Sequence, residues 1–348
     1  MTTWRSWMAS VGGVLGAAAA SYVLVVEVLG QGYNTKSMAL VGAYALAAIG
    51  LALALGVMHL FSLAHAFFFG AGAYIYSILG GENGWPTSIA AVTAVGASAM
   101  IAHLTGRVLL RLEGFYFAVA TLGMTLIGEN ILFVVRDVTG GDDGLWAPSL
   151  SLFGFAFDTP TRSYVLVAVV VAVGVAVGLN VRRSPRGLAA RAVAVDELMA
   201  GSTGVDVVRA KSDMFVISAV YASLGGVLYA SSAGFVFPSI ANISTTLEFV
   251  VAVIAGGTGS VVGAVVVMVV LRWLPIAFEV VEDYLEMIYG AVLVVVIVGS
   301  SRMANRRRRR VGAQRIRGGG SSAIARLHEA EQTSVEGQTS RHEEAASS

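Results

Sequence analysis

Ser62 and His65 open a string of small and aromatic residues, Ser62-Leu63-Ala64-His65-Ala66-Phe67-Phe68-Phe69-Gly70-Ala71-Gly72-Ala73-Tyr74. Two polar side chains at the edge of an apolar run have two readings. One is a tight helix-packing face with the histidine bonded to a backbone carbonyl; the other is a helix end that lines a passage. Tyr116, Thr121 and Glu129 belong to a second such string, from Arg111 onward. Glu129 lies well inside apolar sequence, where a charge costs roughly 3 kcal/mol on insertion scales, so it must face a bundle interior or water. His65 is a candidate partner. Glu129 reads equally as a clamp between two helices or as part of a pathway, and Glu248 carries the same ambiguity. His59, His65 and Glu129 offer too few groups at recognisable spacing for an intramembrane enzyme or a metal site. The glycine turn Gly256-Gly257-Thr258-Gly259-Ser260 is followed by no lysine, so it is not a phosphate loop. No catalytic residue, resident metal or cofactor is expected.

These residues are embedded in a chain of 348 residues that is 56% hydrophobic and 13% charged. Its mean hydropathy is +0.75. A soluble core cannot hide that much apolar surface, so the bilayer is the solvent for most of it. The net charge of +1 gives no nucleic-acid signature, and the absence of cysteine excludes a disulfide framework.

Apolar stretches of spanning length fall at Ala9–Leu29, Met38–Val57, Ala64–Leu79, Pro86–Thr105, Phe115–Val135, Ser163–Leu179, Ser212–Ala233, Thr246–Leu274 and Tyr284–Ser300. In lipid each segment must satisfy its own backbone, so these are helices although Val, Ile and Leu dominate. The stretch Thr246–Leu274 would reach about 43 Å as one helix, too long for an upright span. Gly256, Gly257 and Gly259 sit at its middle and mark a break or re-entrant turn. The fold expected is an all-α polytopic transmembrane bundle of about 8 to 10 spans, occupying residues 1–300.

Arginine and lysine orient it. With the N-terminus in the cytoplasm, inside segments carry Arg107, Arg111, Arg182, Arg183, Arg186, Arg191, Arg209 and Lys211, and outside loops are rich in acid. Splitting Thr246–Leu274 into two passes also brings Arg306–Arg310 inside. Both termini are therefore expected in the cytoplasm. Residues 301–348 read as a basic, then disordered tail whose arginines face anionic lipid. Thr139-Gly140-Gly141-Asp142-Asp143-Gly144-Leu145 reads as a solvated outer turn or docking surface.

The polar interruption of about 180–211 is the most informative segment. A chain that merely sits in a membrane does not need it; one driven by a cytoplasmic partner does. Ser184-Pro185 can start a helix there. Leu188, Ala192, Val195 and Met199 give it one apolar face, and Gly201 or Gly204 can end it. Such a helix docks in a partner's groove or lies on lipid.

Together these strings resemble the branched-chain amino acid ABC importer permeases, the LivM-like group, over most of residues 38–300. The carriers are the string at 62–74, Gly114-Phe115-Tyr116-Phe117-Ala118-Val119-Ala120-Thr121-Leu122, the turn at 139–145, Arg191-Ala192 with Asp196-Glu197 and Gly204-Val205, and the turn at 256–260. The resemblance implies a non-catalytic plasma-membrane subunit paired with a second, related permease. Two cytoplasmic ATPases, which hold the ATP and Mg, would engage the loop, and an extracytoplasmic binding protein would deliver leucine, isoleucine or valine. Urea and short amides are substrates of close relatives. Arg186, Gly187, Arg191, Asp196, Glu197 and Gly204 are then expected to couple the chain to the ATPases. Ser62, His65, Tyr116, Thr121 and Glu129 are expected along the pathway. An ion-coupled secondary transporter, which Glu129 and the broken helix would suit, is the competing class.

Overall fold

The computed structural model describes residues 33–277 apart from 153. The expected spans Ala9–Leu29 and Tyr284–Ser300 and the arginine-rich tail lie outside the described residues. The helices are α1 (Tyr33–Met58), α2 (His65–Ser77), α3 (Thr87–Leu109), α4 (Phe115–Val134), α5 (Pro160–Arg183), α6 (Pro185–Val195), α7 (Glu197–Ser202), α8 (Val207–Ala233), α9 (Ile243–Ala255) and α10 (Val261–Ala277). A π-helical turn, Ile78–Glu82, extends α2. Five of these, α1, α3, α4, α5 and α8, are long and apolar enough to cross a membrane, and α9 and α10 are shorter apolar helices. The all-α polytopic expectation holds.

Burial separates centre from periphery. The most apolar window of α1 is 83% buried and that of α8 72%, against 28% for α3 and α4. Accordingly, α1 and α8 pack on each other; α5 and α10 lean on α1, while α2 and α3 lean on α8. Lipid is as apolar as leucine, so helix association here relies on close backbone approach through small residues. Gly226 shows why: a Cβ added there would fall on the carbonyl of Phe69 in α2. Tyr44, Phe69, Tyr229 and Phe249 fill the space around this crossing, with ring centroids 4.7 to 5.8 Å apart.

One end of the bundle carries α6 and α7 and is called the loop end here. The far end carries the acidic turn, where Gly140, Gly141 and Gly144 all have positive φ and Arg136 pairs with Asp142 at 2.5 Å. It is finished by two short antiparallel pairings, Leu145–Trp146 with Phe235–Val236 and Ser151–Leu152 with Phe155–Ala156.

Helices α5 and α8 reach into the polar segment of about 180–211 from either side. Proline at the first position and the Thr159 hydroxyl start α5 at Pro160. It then runs through to Arg183, whose charge and that of Arg182 suit a helix C-terminus. The Asp206 carboxylate accepts from the Arg209 amide at 3.0 Å and starts α8 at Val207, five residues before Ser212.

Candidate functional site

Between α1 and α2 the chain unwinds for six residues, His59 to Ala64. His59 has φ 55° and is the only non-glycine residue with positive φ among the described residues. Unwound backbone buried away from water must find partners inside the protein. Threonines supply them. The Leu63 amide donates to Thr121 Oγ1 at 2.9 Å. Its carbonyl accepts from Thr125 Oγ1 at 2.7 Å and Thr246 Oγ1 at 3.4 Å. Three hydroxyls from α4 and α9 thus pin the two peptide groups that flank Leu63. Replacing Thr121 and Thr125 together by valine keeps shape and strips the two shorter of these bonds. With about 1–3 kcal/mol per unsatisfied buried group, the doubly substituted chain should melt several degrees earlier in micelles, as followed by circular dichroism.

His65 is the first residue of α2 and is buried. A carbonyl only accepts, so its Nε2 donates to Ala47 of α1 at 2.7 Å, and its Nδ1 then accepts from the Ser218 hydroxyl of α8 at 3.4 Å. Phe249 of α9 stands edge-on at 5.0 Å. The ring therefore joins four helices. Both nitrogens are engaged, so the pairing with Glu129 allowed by the sequence is not formed. Glu129 sits half-buried on α4. Tyr116, at the start of that helix, is exposed, and Ser62 is buried with its hydroxyl accepting from the Ala64 amide at 3.3 Å. The pathway candidates are thus divided between the interior (Ser62, His65, Thr121) and the outward side of α4 (Tyr116, Glu129).

The broken helix is a hairpin. Helix α9 ends at Ala255, Gly257 and Gly259 take φ 91°, and the Ser260 hydroxyl caps α10 by accepting from the Gly263 amide at 3.0 Å. Gly256 keeps ordinary helical angles; it is needed for space, because a Cβ there would strike the Gly263 backbone. The turn rests against Gly56 near the loop end of α1. Deeper between the limbs, Glu248 of α9 pairs with Arg272 of α10 at 2.7 Å. The guanidinium carbon of Arg272 lies 3.6 Å from the centroid of the Tyr44 ring of α1.

At the loop end the single amphipathic helix expected from the sequence is two helices. Ser184 caps α6, its hydroxyl accepting from the Gly187 amide at 3.2 Å. Asp196 is extended, and its carboxylate accepts from the Met199 amide at 2.9 Å, which ends one helix and starts the next. The buried face is also different. Gly187, Ala190, Val193 and Ala200 pack inward, while the apolar stripe faces out. Val195 is 86% exposed, Leu198 88%, Met199 68% and Leu188 56%. Small residues win the inward face because the helix lies close on its support: a Cβ at Gly187 would strike the Val181 carbonyl. Arg191 fastens α6 to α5, donating to the Arg182 carbonyl at 2.6 Å. Glu197 fastens α7 to α8 through Lys211 at 2.6 Å. Arg186 reaches Asp213 at 4.0 Å, and Gly204 turns the chain with φ 90°. A cavity of 840 Å³ lies beneath, lined by Leu60, Leu63, Phe117, Val193, Glu197 and Lys211 among others.

Residues 33–297 match the profile of the permease component of branched-chain amino acid transport systems. The chain belongs to that family. Among curated relatives, the high-affinity branched-chain amino acid permease proteins LivM of Salmonella typhimurium and Escherichia coli are each 29% identical to it, over 72% of this chain and 65% of their own length. The permease protein LivH of Escherichia coli is 27% identical over 64% of this chain and 77% of its own. The chain thus spans about two thirds of the length of its LivM relatives. No solved structure matches it. As a member of this family it is a multi-pass membrane protein, and its resemblance to the LivM-like group is confirmed.

Three features of this permease escaped the sequence. The Glu248–Arg272 pair joins positions 24 apart, beyond helical spacing. The positive φ of His59 is marked by no glycine or proline in the unwound segment. Thr125 and Thr246 look like ordinary helix residues; only the pairing need of Leu63 gives them a role.

Proposed function

We propose that the chain is the permease subunit of an ABC importer for branched-chain amino acids and forms half of a central pathway with a second, related permease. The observation that carries this reading is the outward apolar stripe on α6 and α7, presented by two helices whose other faces are fastened to α5 and α8. Four large apolar side chains held rigidly toward water suit a groove on a partner. Asp196 and Glu197 on the same segment disfavour a lipid surface. Two cytoplasmic ATPases, one for each permease, would take these helices and bind the ATP and Mg; this chain does no covalent chemistry. The loop end then faces the cytoplasm, consistent with its arginines, and the far end receives a binding protein. On α4 the exposed Tyr116, Leu126, Ile127 and Ile131 suit the second permease, with Glu129 at the edge of that face.

ATP closes the ATPases, the gripped helices move, and α5 and α8 carry the motion into the bundle. Relatives named for high-affinity branched-chain amino acid transport support leucine, isoleucine and valine over urea or amides. Leu198→Asp with Met199→Asp tests the docking. Both sites are exposed, so folding and insertion should persist while co-purified ATPase falls at least tenfold and leucine uptake into cells disappears. Full ATPase recovery would overturn the reading, as would uptake that survives ATP depletion and collapses with an uncoupler.

A further inference from the structure

We infer that the loop end of α3 holds the headgroup of an anionic phospholipid, whose acyl chain lies along the outward face of the same helix. Helix α3 buries Ala90, Ala94, Ser98, Ala102 and Gly106 against the bundle. Its opposite face exposes Met100, Leu104 and Val108. At 1.5 Å per residue these three cover about 12 Å, close to the roughly 15 Å depth of one leaflet. Beside them, at four-residue spacing, His103, Arg107 and Arg111 form an exposed polar column at the loop end.

The cations around this column differ in their engagement. Lys211 pairs with Glu197 at 2.6 Å, Arg209 with Asp206 at 3.5 Å and Arg186 with Asp213 at 4.0 Å. Arg107 and Arg111 make no ion pair among the described residues. Arg107 donates to His103 Nε2 at 3.1 Å, which leaves the His103 Nδ1 proton facing the Ser212 hydroxyl at 3.5 Å. Arg107, Arg111, Arg209 and Ser212 line a cavity of 690 Å³ that opens at this point. Glu197 and Asp213 also line it but are paired, which leaves Glu113 as its one acidic group without an ion pair among the described residues. Two guanidinium forks, one hydroxyl and an adjoining apolar ridge match a phosphodiester with a chain attached. A free phosphate would use the forks and leave the ridge uncovered.

Native mass spectrometry of the full-length chain in detergent decides this, with phosphatidylglycerol or phosphatidylcholine as added lipid. The expected result is preferential retention of phosphatidylglycerol. Each arginine near such a surface contributes about fivefold, so Arg107→Gln with Arg111→Gln should weaken that retention by up to roughly thirtyfold, while Arg162→Gln at the far end should not. Raising salt should weaken it in the unaltered chain, a test independent of the folding of any variant. Equal retention of the two lipids, an unaffected double variant, or displacement by millimolar inorganic phosphate would each overturn the assignment. So would protection of Arg107 and Arg111 from labelling by the second permease in the lipid-free assembled complex.

Discussion

Replacing Arg191 and Glu197 together by alanine is expected to reduce ATP-dependent amino acid uptake below about one tenth of the parent rate while leaving membrane insertion intact. The two side chains fasten the two halves of the loop. Arg191 donates to the Arg182 carbonyl at 2.6 Å and to the Gly187 carbonyl at 3.3 Å. It therefore satisfies the C-terminus of α5 with a cation, an interaction of about 0.3–2 kcal/mol. Glu197 holds Lys211, a side chain only 12% exposed, at the start of α8. Without both, α6 and α7 keep only the packing of Ala190, Val193 and Ala200 and the long Arg186–Asp213 contact, and a pull on them is absorbed in the loop. Insertion depends on the long apolar helices, which neither substitution touches. The measurement is uptake in proteoliposomes holding the complete complex, with the amount of inserted chain fixed by immunoblot. ATP hydrolysis that continues without transport is the signature of a slack handle. Uptake at the parent rate would remove the coupling role.

That handle was legible in the residues only in part. Ser184-Pro185 announces a helix start, and it is one. Asp196 reads as one more polar residue on a helical stripe, yet its carboxylate competes for the Met199 amide and divides the helix. The stripe Leu188, Ala192, Val195 and Met199 was visible as periodicity, but periodicity does not say which face is inside. In water the apolar face turns inward; here close approach selects Gly187, Ala190 and Val193. The helix break at Gly256–Ser260 was clear because glycine leaves a local mark, although Gly256 acts through space and only Gly257 and Gly259 through φ. The interruption at His59–Ala64 falls between the expected spans Met38–Val57 and Ala64–Leu79, but the sequence does not say how its backbone is satisfied, by threonines 58, 62 and 183 positions away. His65 was singled out by its type, and its two readings differ only in what surrounds it. Composition cannot provide that; the Ala47 carbonyl and the Ser218 hydroxyl do.

Glu248→Ala and Arg272→Ala are each expected to destabilise the chain strongly, and the double replacement Glu248→Leu/Arg272→Met much less. The pair lies between the limbs of the α9–α10 hairpin, with Glu248 side-chain exposure at 10% and that of Arg272 at 28%. Removing one partner leaves the other as a buried charge without its counterion, a loss of about 3–5 kcal/mol. Apolar residues of similar size remove both charges and keep the volume, which is often neutral or stabilising. Arg272 also covers the Tyr44 ring, an interaction of about 0.5–2 kcal/mol that methionine replaces with a weaker sulfur contact. Unfolding in mixed micelles by added sodium dodecyl sulfate, read by circular dichroism, measures all four species. A coupling energy of about 2–3 kcal/mol in the resulting cycle is expected; additive single effects would show that the two charges are not a unit. Arg272→Lys separates the contributions further, because an ammonium meets Glu248 with a point charge and cannot lay a planar group on Tyr44. The physical consequence is mechanical. Glu248 ties α9 to α10, and Arg272 ties both to α1, so the limbs can splay only by exposing two charges at membrane depth. A hairpin locked in this way moves with α1 as one body, which keeps its glycine turn at Gly56 through any motion delivered from the loop end.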